Sequence, residues 1–302
     1  MPLTHAFLKL RAASLALLFC LIARDSSAQT DTPNLSAEVK PLTVANVWPE
    51  GKMPGNGTKD PEAEMPAKSD GFHRITNISH PTLTVFSVAK KGETAPAIIV
   101  CPGGGYSYVV FDKEGTEIAA WLNSLGIGAL VLKYRTPHNR EGALQDIERA
   151  LSVTRAHASE WNIDPKRLGV IGFSAGGNLA AKASTLFDDR AYPALDDIDQ
   201  QSCRPDFAIL VYPAYLEGKD GAIATDLNLK ANIPPTLIVH SEDDKAFVAG
   251  SKLYNTALDA TKTMHEFKLY PTGGHGYALH CTKDAKVWPT DASEWLHKIG
   301  IR

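Results

Sequence analysis

The sequence predicts an α/β domain of three layers, a mostly parallel sheet with helices on both faces and no large lid domain. From Thr82 onward, short strand-like runs alternate with segments of helical period, the rhythm of repeated strand, helix and strand units. Several strand runs are apolar throughout instead of alternating, as happens when helices cover both faces of a parallel sheet. The interruptions of that rhythm, 188–204 and 213–235, are short and polar, too small for a large lid.

Taken in order, the 302-residue chain opens on His5, Lys9 and Arg11, an uncharged apolar run over 12–23, and the small residues Ser26, Ser27 and Ala28. Residues 1–28 are therefore expected to be a secretory signal peptide cut after Ala28, and the mature protein to be exported, periplasmic or extracellular. The apolar run is too short for a permanent anchor, so no membrane insertion is expected after processing. Cys20 raises lipoprotein processing, against which stand the bulky Phe19 and the later small-residue site.

Residues 29–81 are rich in Pro, Gly, Asp and Lys, with little periodicity beyond 42–48, and read as an extended N-terminal arm. Residues 82–302 then carry the α/β domain. Strands are expected at 83–89, 97–101, 129–134, 168–173, 207–212, 236–240 and 266–270. Ile118, Trp121, Leu122 and Leu125 fall at i, i+3, i+4 and i+7, and Gly126 stops the helix they mark. Ile147, Ala150, Leu151, Thr154 and Ala158 mark a second helix, and Ala292, Trp295, Leu296 and Ile299 the last.

A net charge of −3 with interspersed signs leaves no basic face for nucleic acid. Cys101, Cys203 and Cys281 follow the leader. In an oxidising compartment Cys203 and Cys281 are the pair to bridge, Cys101 lying in an apolar strand; the alternative is that all three are buried as small hydrophobes. No C-x-x-C or H-E-x-x-H spacing occurs, so neither a metal nor a cofactor is expected.

The chemistry gathers in four segments. Gly172-Phe173-Ser174-Ala175-Gly176 follows an apolar strand and precedes an alanine-rich helix, the arrangement of a nucleophile elbow that exposes Ser174 on a sharp turn. Gly172 and Gly176 permit the turn, since a Cβ at either place would strike the neighbouring strand or helix. A serine hydroxyl needs a base, and His275, in the glycine-rich loop 271–277 after the last strand, suits that role. Asp244, after the strand 236–240, is expected to orient the imidazole, with Asp243 as the alternative; the other carboxylate would cap the helix over 246–260. Gly104 and Gly105, in a run of three glycines after the strand 97–101, supply unhindered N–H groups that with the N–H of Ala175 would form an oxyanion hole. The run lacks the spacing of a phosphate loop.

Pro102-Gly103-Gly104-Gly105-Tyr106, Leu132-Lys133-Tyr134-Arg135, Trp161-Asn162-Ile163-Asp164-Pro165, Gly172-Phe173-Ser174-Ala175-Gly176-Gly177 and Gly273-Gly274-His275-Gly276 together resemble α/β-hydrolase esterases. The resemblance is to acetylxylan esterases and the hormone-sensitive-lipase group, above all to exported bacterial carbohydrate acetylesterases, and it covers the chain from about Val47 to its end. Pro102 stands where lipase-like relatives have the His of His-Gly-Gly-Gly, and Lys245 where many have Pro. The resemblance implies that residues 82–302 are the catalytic domain, with a Ser174–His275–Asp244 triad and short acetyl esters of carbohydrate such as xylan as substrate.

Short polar inserts leave such a site open, which suits a small acyl group on a bulky sugar. Tyr106 and Tyr277 are candidates to stack on a sugar ring, with Tyr108 and Tyr215 on neighbouring segments. Arg135 and Asp146 read as a structural pair, and Glu114 is open to either role. A general short-chain carboxylesterase is the alternative activity. A prolyl-oligopeptidase-type peptidase would share fold and triad, but needs a propeller domain for which the chain has no room. A non-catalytic carbohydrate-binding relative would keep the fold without the nucleophile's reactivity.

Overall fold

The computed structural model of the protein describes residues 39–230 and 232–302. The expected signal peptide, 1–28, lies outside them. Among the described residues the first half runs β1 (Thr43–Asn46), β2 (Ala63–Glu64), β3 (Arg74–Thr76), β4 (Thr82–Phe86), β5 (Ala95–Cys101), β6 (Val109–Val110), α1 (Glu117–Ser124), β7 (Gly128–Lys133) and α2 (Arg140–Ala156). The second half runs β8 (Ile163–Phe173), α3 (Ala175–Thr185), β9 (Ala208–Val211), β10 (Thr236–Ser241), α4 (Val248–Thr261), β11 (His265–Tyr270) and α5 (Trp288–Lys298). Each expected strand and helix of the 82–302 region is present, with ends shifted by a few residues.

Eight strands form one sheet in the order β1-β4-β7-β5-β8-β9-β10-β11. The pairs from β7 across to β11 are parallel, and β4 and β1 extend the β7 edge by antiparallel pairing. Alternate residues of β5 explain its unbroken apolar run. Ala97, Ile99 and Cys101 enter a core shared with Ile147 and Leu151 of α2, Leu179 of α3 and Leu258 of α4. Ile98 and Val100 enter the opposite core with Ile118 and Leu122 of α1 and Trp295 and Leu296 of α5. Each side chain of such a strand faces protein whichever way the pleat points it.

The described part of the segment expected as an extended arm, from residue 39 on, is built into this body. β1 becomes an edge strand of the main sheet, and β2 and β3 join β6 in a second, three-stranded sheet. Val47 and Trp48 enter the core beside α2. There the Trp48 indole donates to Asp146 Oδ1 at 2.7 Å. The fully buried Asp146 also accepts from Arg135 through its backbone N, 2.9 Å, and Nε, 3.0 Å. Arg135 and Asp146 are thus the structural pair expected, and the arm is fastened to the same carboxylate.

The cysteine pairing is corrected. Cys203 packs in the core of α2 and α3, its thiol against the Phe187 carbonyl, whereas Cys281 packs against the core on the sheet's other side. Cys101, Cys203 and Cys281 are all free thiols.

Trp288 has the largest of the fully buried side chains. Its ring lies edge-on to Trp121 and Phe173, and its Nε1 donates to the Ala278 carbonyl at 2.7 Å. It therefore supports the end of β8 and the loop after β11 together. Trp288→Ala is expected to lower unfolding free energy by about 3–5 kcal/mol, the range for emptying a large aromatic site. Asp146→Ala leaves Arg135 buried and unpaired, and its expected cost is also about 3–5 kcal/mol. Urea denaturation of each variant against the parent measures both.

Candidate active site

β8 ends at Phe173, and α3 begins at Ala175. Ser174 between them has φ 52° and ψ −115°, a backbone conformation that side-chain-bearing residues rarely adopt. The turn closes because of its glycines. A Cβ on Gly172 would overlap the Gly176 carbonyl of the helix, and one on Gly176 would overlap the Cys101 carbonyl of β5. Hydrogen bonds then pin the strained residue: Ser174 N donates to Val211 O at 3.1 Å, and Ser174 O accepts from Asn178 N at 3.1 Å and Ala214 N at 3.0 Å.

The hydroxyl so presented is half-buried and lies 2.8 Å from His275 Nε2. His275 Nδ1 is 2.6 Å from Asp244 Oδ2. With the proton on Nδ1, His275 donates to the carboxylate and offers Nε2 as acceptor to Ser174. The three expected residues therefore form one hydrogen-bonded line, opening to solvent at His275.

Between the two acids the geometry is clear. Asp244 faces His275, and Asp243 Oδ1 accepts the amides of Gly273 at 3.0 Å and Gly274 at 2.8 Å. These amide donors, with Gly274 foremost, lower the Asp243 carboxyl from its ordinary value. Asp243 thus holds the loop that carries His275 and caps no helix, a correction to the expectation that the second acid caps α4, whose first residue has no side-chain cap.

Two buried groups were not assigned a role by sequence reasoning. His240, fully buried at the end of β10, lies 2.9 Å through Nε2 from the same Asp244 Oδ2 and 2.7 Å through Nδ1 from Ser251 Oγ. Burial alone would raise the Asp244 carboxyl, but hydrogen bonds from His240 and His275, and their charge, outweigh it and hold Asp244 well below the usual carboxylate range. The available signal was that His240 ends the strand delivering Asp244. Glu114 accepts from Gly103 N at 2.7 Å and from the Tyr212 hydroxyl at 2.8 Å, and that hydroxyl accepts from Ala278 N at 2.9 Å. Burial pushes the Glu114 carboxyl up. Nothing local in the sequence marks this chain, because it joins three loops far apart in number.

With Gly103 N committed to Glu114, the next amides of the loop remain. Among the described residues the N–H groups of Gly104, Gly105 and Ala175 have no acceptor. Gly104 and Gly105 adopt φ of 137° and 64°, and a Cβ on Gly104 would overlap the Tyr108 carbonyl.

The expectation for the two tyrosines is corrected. Tyr106 is 1% exposed and donates its hydroxyl to Asn178 Oδ1 at 2.8 Å, and Tyr277 is 8% exposed with its ring edge-on to Tyr212. Neither offers a face to solvent, because loops 102–108 and 271–278 fold inward to reach the sheet. Tyr215 remains half-exposed at the rim.

His240, Asp244 and His275 also offer ligand atoms within 4.8 Å of one another, the spacing of a metal site. The imidazole nitrogens facing Asp244 must carry protons to make the bonds observed, and a coordinated nitrogen carries none. A cavity of about 160 Å³ lined by Tyr215, Leu216, Glu217, Gly218, Ala246 and Phe247 lies beside His275, whose ring centroid is 4.9 Å from that of Phe247. Larger hollows, of about 560 and 680 Å³, are lined by the arm and by 223–230 with Leu186, and include none of these residues.

Comparison with known proteins agrees with this fold. A family described as alpha/beta hydrolase fold matches residues 98–229. An acetylxylan esterase of Xylanibacter ruminicola is 31% identical over 210 residues, 61% of this chain and 41% of its own length. An endo-1,4-beta-xylanase B of Butyrivibrio fibrisolvens is 34% identical over 210 residues, 60% of this chain and 32% of its own. The chain thus spans less than half the length of either relative. The crystal structure of an acetyl ester-xyloside bifunctional hydrolase from Caldicellulosiruptor lactoaceticus superposes with a TM-score of 0.71 at 30% identity, covering 88% of this chain and 99% of that one. By its sheet order, its elbow and these similarities, the chain belongs to the α/β-hydrolase fold family.

Proposed function

We propose that the protein is an exported serine esterase that removes acetyl groups from carbohydrate such as acetylated xylan. The observation that carries the reading is the unbroken line Ser174 Oγ, His275, Asp244 Oδ2, with contacts of 2.8 and 2.6 Å. In the first half-reaction Ser174 Oγ attacks the ester carbonyl carbon while His275 Nε2 takes its proton. The carbonyl oxygen becomes negative and accepts from the N–H groups of Gly104, Gly105 and Ala175, which need no rearrangement to be free. His275 returns the proton to the departing sugar oxygen. Water then attacks the acetyl-serine with His275 again as base, releasing acetate. Asp244, held ionised by its two imidazole partners, stabilises the imidazolium in both halves.

The acetyl-carbohydrate assignment is supported by the small cavity beside His275, by segments 188–204 and 213–235 whose described residues add a short helical turn at Asp197–Gln200 and a β-bridge between Glu217 and Ile223, and by the names of the similar proteins. Export is supported by the basic start and apolar run within residues 1–28.

Ser174→Ala is expected to lower turnover of 4-nitrophenyl acetate by about 10⁶-fold with folding intact. Near-parental activity in that variant sinks the mechanism. Asp244→Asn is expected to cost about 10⁴-fold, since the amide favours the wrong imidazole tautomer. The same variant tests the acid side of stability. A carboxyl held below its unfolded value of about 3.9 stabilises the fold above that pH, and the contribution disappears as pH falls through the lower native value. Denaturation midpoints at pH 7 and about pH 3 are therefore expected to differ less in Asp244→Asn than in the parent. For the substrate, acetate release is expected from acetylated xylan or a related polymer, with 4-nitrophenyl acetate preferred over longer acyl chains. Preference for butyrate with no acetate from any polymer would replace this reading by a general carboxylesterase.

A further inference from the structure

Nine arginines lie among the described residues, and eight of them hydrogen-bond to protein: Arg74, Arg135, Arg149, Arg155, Arg167, Arg190, Arg204 and Arg302. Arg140 is the exception, having among the described residues neither a hydrogen bond nor an ion pair. It is exposed, and its guanidinium carbon lies 4.3 Å from the Tyr215 ring centroid and 4.9 Å from that of Tyr106. Ring faces attract a cation without using its five N–H donors. The charge is therefore held in place while its hydrogen-bonding capacity stays unspent.

Its position is electrostatically costly. Arg140 is the first residue of α2, a helix of 17 residues, where the aligned peptide dipoles disfavour a cation. Relief from nearby acids is small. Glu141, next in sequence, is exposed and forms no ion pair with it, and Asp226 in the 212–235 segment is taken up by Lys182. Two positive features thus add at one surface point.

That point borders the candidate active site. A Cβ on Gly105, one of the free amide donors, would lie 3.6 Å from the Tyr215 hydroxyl. Tyr215 packs edge-on against Phe247, which in turn faces His275. Tyr215, half-exposed, thus touches Arg140 on one side and Phe247 on another, with its hydroxyl close to Gly105.

We propose that Arg140, presented on Tyr215 and Tyr106, is a subsite for a carboxylate on the alcohol portion of the substrate, carried by an acidic sugar unit near the acetylated one. The proposal rests on the esterase reading above. A planar guanidinium matches a carboxylate through two parallel hydrogen bonds, and a neutral sugar hydroxyl gains much less from it. Arg135, which contacts the arm, provides the contrast, each of its guanidinium nitrogens being bonded to Asp146, Pro54, Gly142 or Gln145.

The test compares kcat/KM for an acetylated xylo-oligosaccharide bearing a uronic acid with that for the same compound as its uncharged uronamide. The parent is expected to favour the acid about five- to tenfold at low salt, the worth of one partly exposed charge-assisted contact. The preference should shrink at 0.5 M salt. Arg140→Gln should bring the ratio near one, Arg140→Glu should invert it, and Arg140→Lys should restore part of it. Because the readout is a ratio, partial loss of folded enzyme cancels. A parent ratio near one, or a ratio unchanged in Arg140→Glu, overturns the subsite. If the parent cleaves 4-nitrophenyl acetate and the uronamide but not the acid, the subsite falls and the esterase reading stands. If it cleaves no ester at all, the esterase reading falls and takes the subsite with it.

Discussion

The contact on which the site depends is the approach of α3 to the ends of β8 and β5, backbone against backbone. Gly172 lies under the Gly176 carbonyl, and Gly176 under the Cys101 carbonyl, with no space for a methyl group at either. Such proximity forces Ser174 into its positive-φ conformation and lifts its hydroxyl clear of the sheet. It also brings the loop after β5 against the elbow, where a Cβ on Gly103 would stand 3.1 Å from that of Ser174. One steric constraint thus sets Ser174 and the glycine loop together.

Holding that arrangement against its strain falls to polar groups packed around it. Glu114 links the glycine loop to Tyr212, and Tyr212 links onward to the loop of His275. Asp243 fastens the same loop from the side, and His240 fixes the carboxylate of Asp244 from below. A histidine on a loop is imprecise by itself. Three independent anchors hold this imidazole in one place. Trp288 supplies the apolar counterpart, closing the space beneath Phe173 and Ala278.

The same economy distinguishes the two arginines near α2. Arg135 is buried, has every guanidinium nitrogen bonded, and shares Asp146 of α2 with Trp48 of the arm. Arg140, five residues later, is displayed on aromatic rings with its donors free. One charge maintains the fold, while the other points toward whatever the fold receives.

Much of this was legible in the chain itself. Unbroken apolar runs at 97–101, 168–173 and 207–212 imply a parallel sheet covered twice, because only burial on both faces tolerates such runs. The Gly-x-Ser-x-Gly turn and its flanking strand and helix are local, so Ser174 could be read from its neighbours, and the order of segments pointed to His275 and to an acid at 243–244. Contacts between distant segments were not legible. Trp48 on Asp146, Glu114 on Tyr212, His240 on Asp244 and the separation of Cys203 from Cys281 by the sheet each depend on which loops meet, and no local pattern encodes that. The inward turn of Tyr106 and Tyr277 belongs with them: an aromatic residue beside a catalytic loop has the same sequence signature whether its ring meets solvent or core. Local backbone preference and hydrophobic period are properties of a few neighbouring residues, and the chain determines them alone. Which of two acids faces the imidazole, and which arginine keeps its donors free, is decided by tertiary packing, because only there do the competing partners come within hydrogen-bonding distance.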